Sequence, residues 1–392
     1  MVSERKSIGV GLVGTGFMAK AHANAFNTIP YMFPDLPLRP RLAAVASTSL
    51  ERAEETARRY GFEKALVGHA ALIDDPEVEL VDVANGDRLH AAVALAALAK
   101  GKHVLCEKPL ADNLADAKRL AEAAARAEKS GVKAVCGFNY RFVPAVALAK
   151  RLIERGVIGR VYSFNGCYLQ DSGAFEDTPA EKVWYAAPGG PKNSGVMYGI
   201  GTHLIDQARY LAGEIETVAG SLRTYNTRRD SAAGKIAVRS DEDGVAVVGF
   251  ANGALGSIRA AAVAAGRKNR LSWEISGSRG TLFFDLEEIN YLKVFLRDTP
   301  VKEVSGFTRV NVTQLDRNHP FMDIWWPRGH GIGWEHAHIN EAAHLLARIA
   351  EDGPVGPEAA TFEDGYQALR VVEAVRRSEE TGMRQRVEDI GP

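Results

Sequence analysis

The sequence predicts two domains of different class, an α/β domain with a parallel sheet followed by an α+β domain with an open-faced, mostly antiparallel sheet. Strand-like apolar runs alternate with helical stretches up to about residue 140, a pattern typical of βαβ units. A glycine-rich turn follows the first of these strands. From residue 161 onward, strand-like runs follow one another with short turns, which favours antiparallel pairing. We therefore predict domains at residues 1–140 and 141–392.

Composition is that of a globular protein with a sizeable core. Of 392 residues, 46% are hydrophobic and 25% are charged. The net charge of −1 gives no electrostatic reason to expect nucleic acid or an anionic membrane as a partner. No apolar run approaches the ~18 residues of a transmembrane helix, and the first residues lack the apolar core of a secretory signal, so we expect a cytoplasmic protein. Three scattered cysteines argue against a disulfide framework or a cysteine-based zinc site.

The first strand and the turn after it predict a dinucleotide site. Ile8–Val13 is apolar, and it leads through G-x-G-x-x-A into a helical stretch, Ala19–Phe26. In this arrangement Gly14 makes the tight turn, Gly16 lets a pyrophosphate approach the backbone, and Ala19 allows close packing of helix on strand. The predicted cofactor contacts here are Gly14, Gly16, Phe17 and Met18.

The end of the second strand bears on the choice between NAD and NADP. Arg41–Ala46 is followed by Ser47 and Thr48, where an acid would bind the adenosine ribose and repel a 2′-phosphate. The two hydroxyls with Arg52 could hold a 2′-phosphate, which slightly favours NADP. Alternatively, the two hydroxyls only cap the helix that follows at Glu51–Tyr60.

The remaining strands of the first domain lead to a candidate catalytic lysine. Four prolines between residues 30 and 40 predict an irregular connection, and Glu79–Val83 predicts a strand leading to Asn85 and to His90. Val104–Cys106 then ends in the tripeptide Glu107-Lys108-Pro109. Because open α/β folds bind ligands at the carboxyl ends of their strands, we expect Lys108 in the site, held on a stiff support by Pro109. Otherwise Lys108 only pairs with Glu107 where the next helix begins, with Asn113 as its predicted N-cap.

The second domain is predicted from its strand-like runs and three helices. The helices are Val143–Glu154, Glu335–Ile349 and Glu363–Ser378. The strand-like runs are Val161–Leu169, Thr217–Tyr225, Gly244–Phe250, Ala254–Val263, Leu271–Ser276, Thr281–Asp285 and Asn290–Leu296.

Four motifs together resemble the Gfo/Idh/MocA family, the relatives of glucose–fructose oxidoreductase and inositol dehydrogenase. They are the run Gly11–Ala19, Glu107-Lys108-Pro109, Asn139-Tyr140-Arg141 and Gly201-Thr202-His203-Leu204-Ile205-Asp206. The resemblance implies a Rossmann domain followed by an open-faced sheet, with the active site in the cleft between them. It also implies NAD(P)-linked oxidation or reduction of a sugar, inositol or related polyol, in a homodimer or homotetramer formed through the second-domain sheet.

The resemblance also assigns the two catalytic residues. Lys108 carries over as the contact to the substrate hydroxyl, and His203 carries over as the group that accepts and returns its proton. Histidine suits that task because it titrates near neutrality, and an ammonium stabilises a developing alkoxide in a dry cleft. The chain departs from the family where Asp-x-Gly-x-His is common, because Gly199 stands in place of the aspartate. It departs again where Thr-Pro-Asn is usual, because the sequence is Asn85-Gly86-Asp87.

Further contacts complete the predicted site. The full set of cofactor contacts is Gly14, Gly16, Phe17, Met18, Ser47, Thr48, Arg52, Asn85, His90, Glu107 and Lys108. The predicted substrate contacts are Tyr168, Trp184, Tyr198, Thr202, His203, Trp334 and His336. The region around Trp334 could equally be a loop that fills a crevice or a subunit contact. No metal is predicted, because His336 and His338 are two residues apart and would point to different sides of a helix.

Two other functions stay open at this point. On this fold a transient oxidation with tightly held NAD can drive elimination or glycoside cleavage. A non-catalytic dinucleotide-sensing regulator draws support from Gly199, although the presence of both Lys108 and His203 argues against it.

Overall fold

The chain folds into two units, each built around one large β-sheet. The computed structural model describes residues 6–186, 195–301, 303, 305–314 and 319–392. The first unit is formed by Met1–Val143 and Ile332–Tyr366, and the second by Pro144–Gly331 and Gln367–Pro392. The segment Ile332–Tyr366, which the sequence alone assigns to the second domain, therefore belongs to the first unit.

The strands of the described residues form two large sheets and one short ribbon. In chain order they are β1 Lys6–Val13, β2 Leu38–Ser47, β3 Lys64–Val67, β4 Leu80–Val83, β5 His103–Glu107, β6 Ala134–Gly137, β7 Val161–Leu169, β8 Ile215–Arg223, β9 Arg228–Arg229, β10 Ile236–Ala237, β11 Asp243–Phe250, β12 Leu255–Ala261, β13 Arg270–Gly277, β14 Gly280–Asp285, β15 Tyr291–Leu296, β16 Thr308–Asn311 and β17 Gln385–Arg386.

The α-helices alternate with the strands in the first unit and pack against the sheet in the second. They are α1 Phe17–Met32, α2 Leu50–Tyr60, α3 His69–Asp74, α4 His90–Ala99, α5 Leu114–Glu128, α6 Pro144–Glu154, α7 Val196–Gly199, α8 Gly201–Ala212, α9 Glu335–Glu351 and α10 Phe362–Thr381. Among the described residues, none of these helices combines the length and apolarity that a bilayer crossing requires.

The sheet of the first unit is parallel throughout, which confirms the predicted α/β class. Its strand order is β3-β2-β1-β4-β5-β6. The order reverses direction between β1 and β4, and such a point is where open α/β sheets bind ligands at the carboxyl ends of their strands. Helix α9, from the returning segment, packs against α1 and so completes this unit.

Local signals set several helix ends as expected. Asn113 caps α5, because its Oδ1 accepts the backbone N–H of Asp116 at 2.9 Å. The cap of α2 is Ser49, whose hydroxyl accepts from the N–H of Arg52, and not Ser47 or Thr48.

The irregular connection predicted between residues 30 and 40 is shorter than expected. Helix α1 continues through Pro30 to its end, because a proline in the last turn breaks few intrahelical hydrogen bonds.

The sheet of the second unit is mixed and mostly antiparallel, as predicted. Its order is β16-β15-β14-β13-β7-β12-β11-β8-β17, and within the described residues β7 and β12 are the one pair that runs in parallel. One face packs on the core, where Trp273 lies between Phe164 and Phe284. The other face is open, since Val245 and Val247 on β11 are 48% and 45% exposed while Ala246 and Val248, which alternate with them, are buried.

Candidate active site

A cavity lies at the carboxyl end of the parallel sheet, where the sequence predicts the dinucleotide. It has a volume of about 520 Å³ and is lined by the turn after β1, by the end of β2 and by the residues after β4. Gly14 adopts a φ of +124°, and a Cβ there would lie 2.5 Å from the carbonyl oxygen of Ala84, so only glycine fits. The predicted contacts that line this cavity are Gly14, Gly16, Phe17, Met18, Ser47, Thr48, Arg52 and Asn85.

Two observations show that the cavity fits a dinucleotide. A Cβ added at Gly16 would meet no atom within 4 Å, so space is open directly above the N-terminus of α1. Backbone N–H groups at a helix N-terminus bind phosphate. The Oδ1 of Asn85 is buried and has no hydrogen-bond partner among the described residues, which leaves an acceptor for a ligand amide or hydroxyl.

Replacing Gly16 by valine is expected to weaken dinucleotide binding without harming the fold. The new side chain would enter the cavity and not the protein core. We expect the Kd for NADH to rise by about tenfold or more, a loss of about 1.4 kcal/mol, at an unchanged melting temperature. Fluorescence titration and thermal unfolding measure the two quantities, and Gly306→Val is the matched control, because its Cβ also meets no atom within 4 Å. Unchanged affinity in Gly16→Val would contradict the assignment of the cavity.

Arg52 also lines a second, smaller cavity beside the first. This cavity has a volume of about 260 Å³, and its lining is Thr15, Arg52, Glu55, Thr56, Arg59 and Tyr60. Two arginines and one glutamate give it a mixed but mainly basic character. A phosphate beyond the end of β2 would find guanidinium groups here.

Lys108 is tied to the cavity wall by His90. The ring of His90 is buried, and its Nδ1 lies 2.9 Å from the carbonyl oxygen of Pro109 while its Nε2 lies 3.1 Å from that of Asn85. One imidazole therefore links the residue after Lys108 to a residue that lines the cavity. Lys108 itself is half-buried, and its backbone N–H donates to the carboxylate of Glu107 at 3.1 Å.

Glu107 belongs to a buried charge network of the first unit. His22 on α1 lies between two carboxylates, with Nδ1 2.8 Å from Asp82 on β4 and Nε2 3.1 Å from Glu107 on β5. All three side chains are almost fully buried. The ring of His338 lies 5.4 Å from that of His22, and the side-chain amide of Asn139 donates to His338 Nε2 at 3.1 Å.

The network shifts the pKa of each member. Burial alone would lower the pKa of His22, but Asp82 and Glu107 outweigh it and raise that pKa well above its ordinary value. Burial would raise the pKa of Glu107, yet the hydrogen bond and charge of His22 lower it to about 2. Burial and the neighbouring His22 cation lower the pKa of His338 to about 3. The network therefore contains an imidazolium held between carboxylates, with a neutral imidazole beside it.

The same group has the residue types of a metal site. His22, Glu107 and His338 have ligand atoms within 4.8 Å of one another. Both ring nitrogens of His22 face carboxylates, however, and its raised pKa keeps both of them protonated. A protonated nitrogen has no lone pair for a metal. The arrangement is therefore better described as a hydrogen-bonded charge network.

Trp334 lies against the cavity rim in the first unit. Its ring stacks on that of Phe17 with centroids 5.4 Å apart and an interplanar angle of 19°. Its Nε1 donates to the hydroxyl of Tyr140 at 3.3 Å, and its ring meets that of His338 edge to face at 4.4 Å. His336 instead accepts the N–H of Gly333 on its Nδ1, a contact that orders the start of α9.

His203 lies in the second unit, in the first turn of α8. Its side chain is buried, and its ring lies 6.0 Å from that of Tyr168 on β7. The hydroxyl of Tyr168 donates to Asn269 at 2.9 Å, which fixes the direction of the phenol. Tyr198, one turn earlier, is nearly buried. Thr202 is fully buried and its hydroxyl donates to the carbonyl of Tyr198 at 3.0 Å, so this contact supports the helix.

Trp184 occupies the position of a missing side chain. A Cβ added at Gly199, the position where the sequence motif led us to expect an aspartate, would lie only 2.3 Å from Cη2 of Trp184. Trp184 is 37% exposed, and its ring meets that of Tyr185 edge to face at 5.3 Å. Tyr185 is buried and its hydroxyl donates to Glu242 at 2.9 Å.

Sequence reasoning missed the residues that hold this site in place. His22, Asp82, Glu242 and Tyr185 do not contact the cavity, and none was among the predicted site residues. One signal was available, because Asp82 interrupts the apolar strand β4, and an ionised residue in such a strand needs a partner. The histidine that supplies the partner lies 60 residues earlier, and no local pattern connects the two.

Comparisons with known proteins find relatives over nearly the whole chain. Residues 8–134 match a family model described as an oxidoreductase family with an NAD-binding Rossmann fold, and residues 146–283 match a GFO/IDH/MocA C-terminal domain. Levoglucosan dehydrogenase of Pseudarthrobacter phenanthrenivorans is 37% identical over 95% of this chain and 96% of its own.

Solved structures extend the similarity to the whole fold. A levoglucosan dehydrogenase in complex with NADH and levoglucosan has a TM-score of 0.89 at 37% identity, over 97% of this chain and 99% of that one. An oxidoreductase domain protein from Kribbella flavida has a TM-score of 0.90 at 36% identity, with the same coverage. The chain therefore belongs to the GFO/IDH/MocA family of NAD-binding oxidoreductases.

Proposed function

We propose that this protein is a dehydrogenase that oxidises a secondary hydroxyl of a ring sugar, such as a pyranose, a glycoside or an anhydrosugar, or reduces the corresponding ketone. The main support for this proposal is the pair of contacts made by the His90 ring, which hold the Lys108–Pro109 segment to the wall of the dinucleotide cavity. A substrate hydroxyl at Lys108 would therefore lie beside the cofactor. The relatives named for levoglucosan support a cyclic sugar as the substrate.

We assign one role to each catalytic side chain. The ammonium of Lys108 binds the substrate hydroxyl and stabilises the negative charge that develops on its oxygen. The imidazole of His203 accepts the hydroxyl proton during oxidation and returns it during reduction. A bound nicotinamide dinucleotide supplies the hydride acceptor. Tyr168 and Trp184 provide the walls against which the sugar is oriented.

We propose NAD(H) as the cofactor and keep NADP(H) as the second candidate. Solved structures of the similar levoglucosan dehydrogenase include complexes with NADH. NADP(H) is favoured by Ser47, Thr48 and Arg52, which line the cavity where a 2′-phosphate would lie, and by Arg59 in the adjoining one.

A panel of sugars watched at 340 nm with both cofactors tests the function. Levoglucosan, glucose, methyl glucosides, inositols and acyclic polyols are supplied in turn with NAD⁺ and with NADP⁺. Net formation of reduced cofactor with a ring sugar is the expected result. Products of elimination or glycoside cleavage without net reduced cofactor would assign the chain to a transient-oxidation mechanism. Tight dinucleotide binding without any product would contradict a catalytic role.

We also propose that the open sheet face joins copies of this chain into a homodimer or homotetramer. The exposed aliphatic residues Val245, Val247 and Leu255 form an apolar area on neighbouring strands β11 and β12. Light scattering is expected to give a multiple of the 42.4 kDa chain mass, and Val247→Lys should lower the measured mass. A wild-type protein of 42.4 kDa would contradict the proposal.

A further inference from the structure

Gly199 and Trp184 form one structural feature of the second unit. Residue 199 ends α7, and His203 lies four positions later in the first turn of α8, after the break between the two helices at Ile200. The indole of Trp184 covers the Cα of Gly199, where a Cβ would lie 2.3 Å from Cη2 and 2.4 Å from Cζ3. The indole therefore occupies the space of a residue-199 side chain, at the end of the helix that precedes the one carrying His203.

Tyr185 connects Trp184 to a buried ion pair, and these contacts hold the indole in position. Glu242 and Arg229 are both fully buried and lie 3.0 Å apart. Glu242 also accepts the hydroxyl of Tyr185, and Tyr185 meets the indole edge to face. This chain of contacts orders an aromatic ring that keeps 37% of its surface exposed. An ordered, partly exposed indole loses little conformational entropy when a ligand packs on it.

We propose that Trp184 is the specificity-determining residue of the sugar site, and that Gly199 is required because it leaves room for the indole. The exposed part of the indole offers an apolar platform for the C–H face of a ring sugar. An acyclic polyol has no such continuous face. The inference rests on the proposed function, and it narrows the substrate to pyranosides and anhydropyranoses over acyclic polyols.

Steady-state kinetics of Trp184→Ala and Trp184→Phe test the platform. For levoglucosan or a methyl glucoside, we expect Trp184→Ala to raise KM by about tenfold or more with kcat within about threefold, because stacking acts on binding. KM for an acyclic polyol should change by less than about threefold. Trp184→Phe should fall between wild type and Trp184→Ala for the ring sugar. Trp326→Ala, at an exposed tryptophan of the same unit, is the matched control.

A double-mutant cycle tests the role of Gly199. Gly199→Ala places a Cβ where the indole now lies, so the ring must move and KM for the ring sugar should rise as in Trp184→Ala. In the Trp184→Ala background the same substitution should have no further effect on KM, because the ring is already absent. Additive effects, or a wild-type KM in Gly199→Ala, would overturn the inference.

A binding measurement separates this inference from the proposed function. Saturation-transfer NMR with levoglucosan as the ligand is recorded on wild type and on Trp184→Phe, with dinucleotide present, and thermal unfolding confirms that each variant is folded. Weaker transfer to the sugar C–H protons in Trp184→Phe supports the platform even if no sugar is turned over. Equal transfer in both proteins, or equal kcat/KM ratios of ring sugar to polyol, overturns it even if the enzyme is active.

Discussion

Alanine at His203 or at Lys108 is expected to lower kcat by about 100-fold or more while the Kd for NADH stays within about threefold. The reason is that each side chain acts on the substrate hydroxyl, one on its proton and the other on its developing charge. Neither residue lines the dinucleotide cavity, so loss of either should leave cofactor binding intact. Stopped-flow turnover at saturating sugar and fluorescence titration with NADH measure the two effects.

Controls separate chemistry from folding. Lys118→Ala on α5 removes an exposed ammonium of the same unit as Lys108 and should leave turnover unchanged. Lys108→Arg keeps the charge but not the compact ammonium, and partial activity is expected from it. A catalytic base produces one limb of the pH profile of kcat/KM. In His203→Ala this limb should flatten. Turnover close to wild type in either alanine variant would remove that residue from the mechanism.

Alanine at His22 is expected to cost about 3–5 kcal/mol of the free energy of unfolding, because removal of one partner leaves buried charges unpaired. Asp82 and Glu107 would then face each other without the imidazolium that lies between them. Chemical denaturation of the apoprotein measures the loss. His330→Ala, at an exposed histidine, should change stability by no more than about 0.5 kcal/mol. A His22→Ala variant as stable as wild type would contradict the charge network.

The pH dependence of stability provides a second measurement of the same network. Glu107 has a folded pKa of about 2, below its ordinary value of 4.5, so its contribution is complete above pH 4.5 and is lost as pH falls toward 2. The folded pKa of His22 lies above its ordinary 6.5, so its contribution is complete below pH 6.5 and is lost as pH rises through the folded pKa. Burial raises the pKa of Asp82, so this residue opposes part of the stabilisation that Glu107 and His22 contribute. We expect the loss of stability in His22→Ala to be largest between pH 4.5 and pH 6.5. It should shrink in acid, where the carboxylates become neutral.

Local patterns were sufficient for the fold but not for the supports of the site. The turn at Gly14 and Gly16, the strand end at Lys108 and the cap at Asn113 depend on residues adjacent in sequence, and each of these structural features could be predicted. His22 contacts Asp82 and Glu107 across 60 and 85 residues, and Trp184 covers Gly199 from a separate loop. Such pairs depend on tertiary packing, which no periodicity encodes. The sequence shows that position 199 is not an aspartate. It does not show that the indole of Trp184 fills the space of that side chain.

The returning segment also determines when the first unit can be completed during synthesis. Trp334 and His338 contact Phe17 and His22, so the N-terminal glycine turn acquires its full set of neighbours only when residues beyond 330 have left the ribosome. Until then, a nascent chain exposes the side of α1 that α9 covers in the finished protein. The dinucleotide half of the molecule is encoded first but finished late.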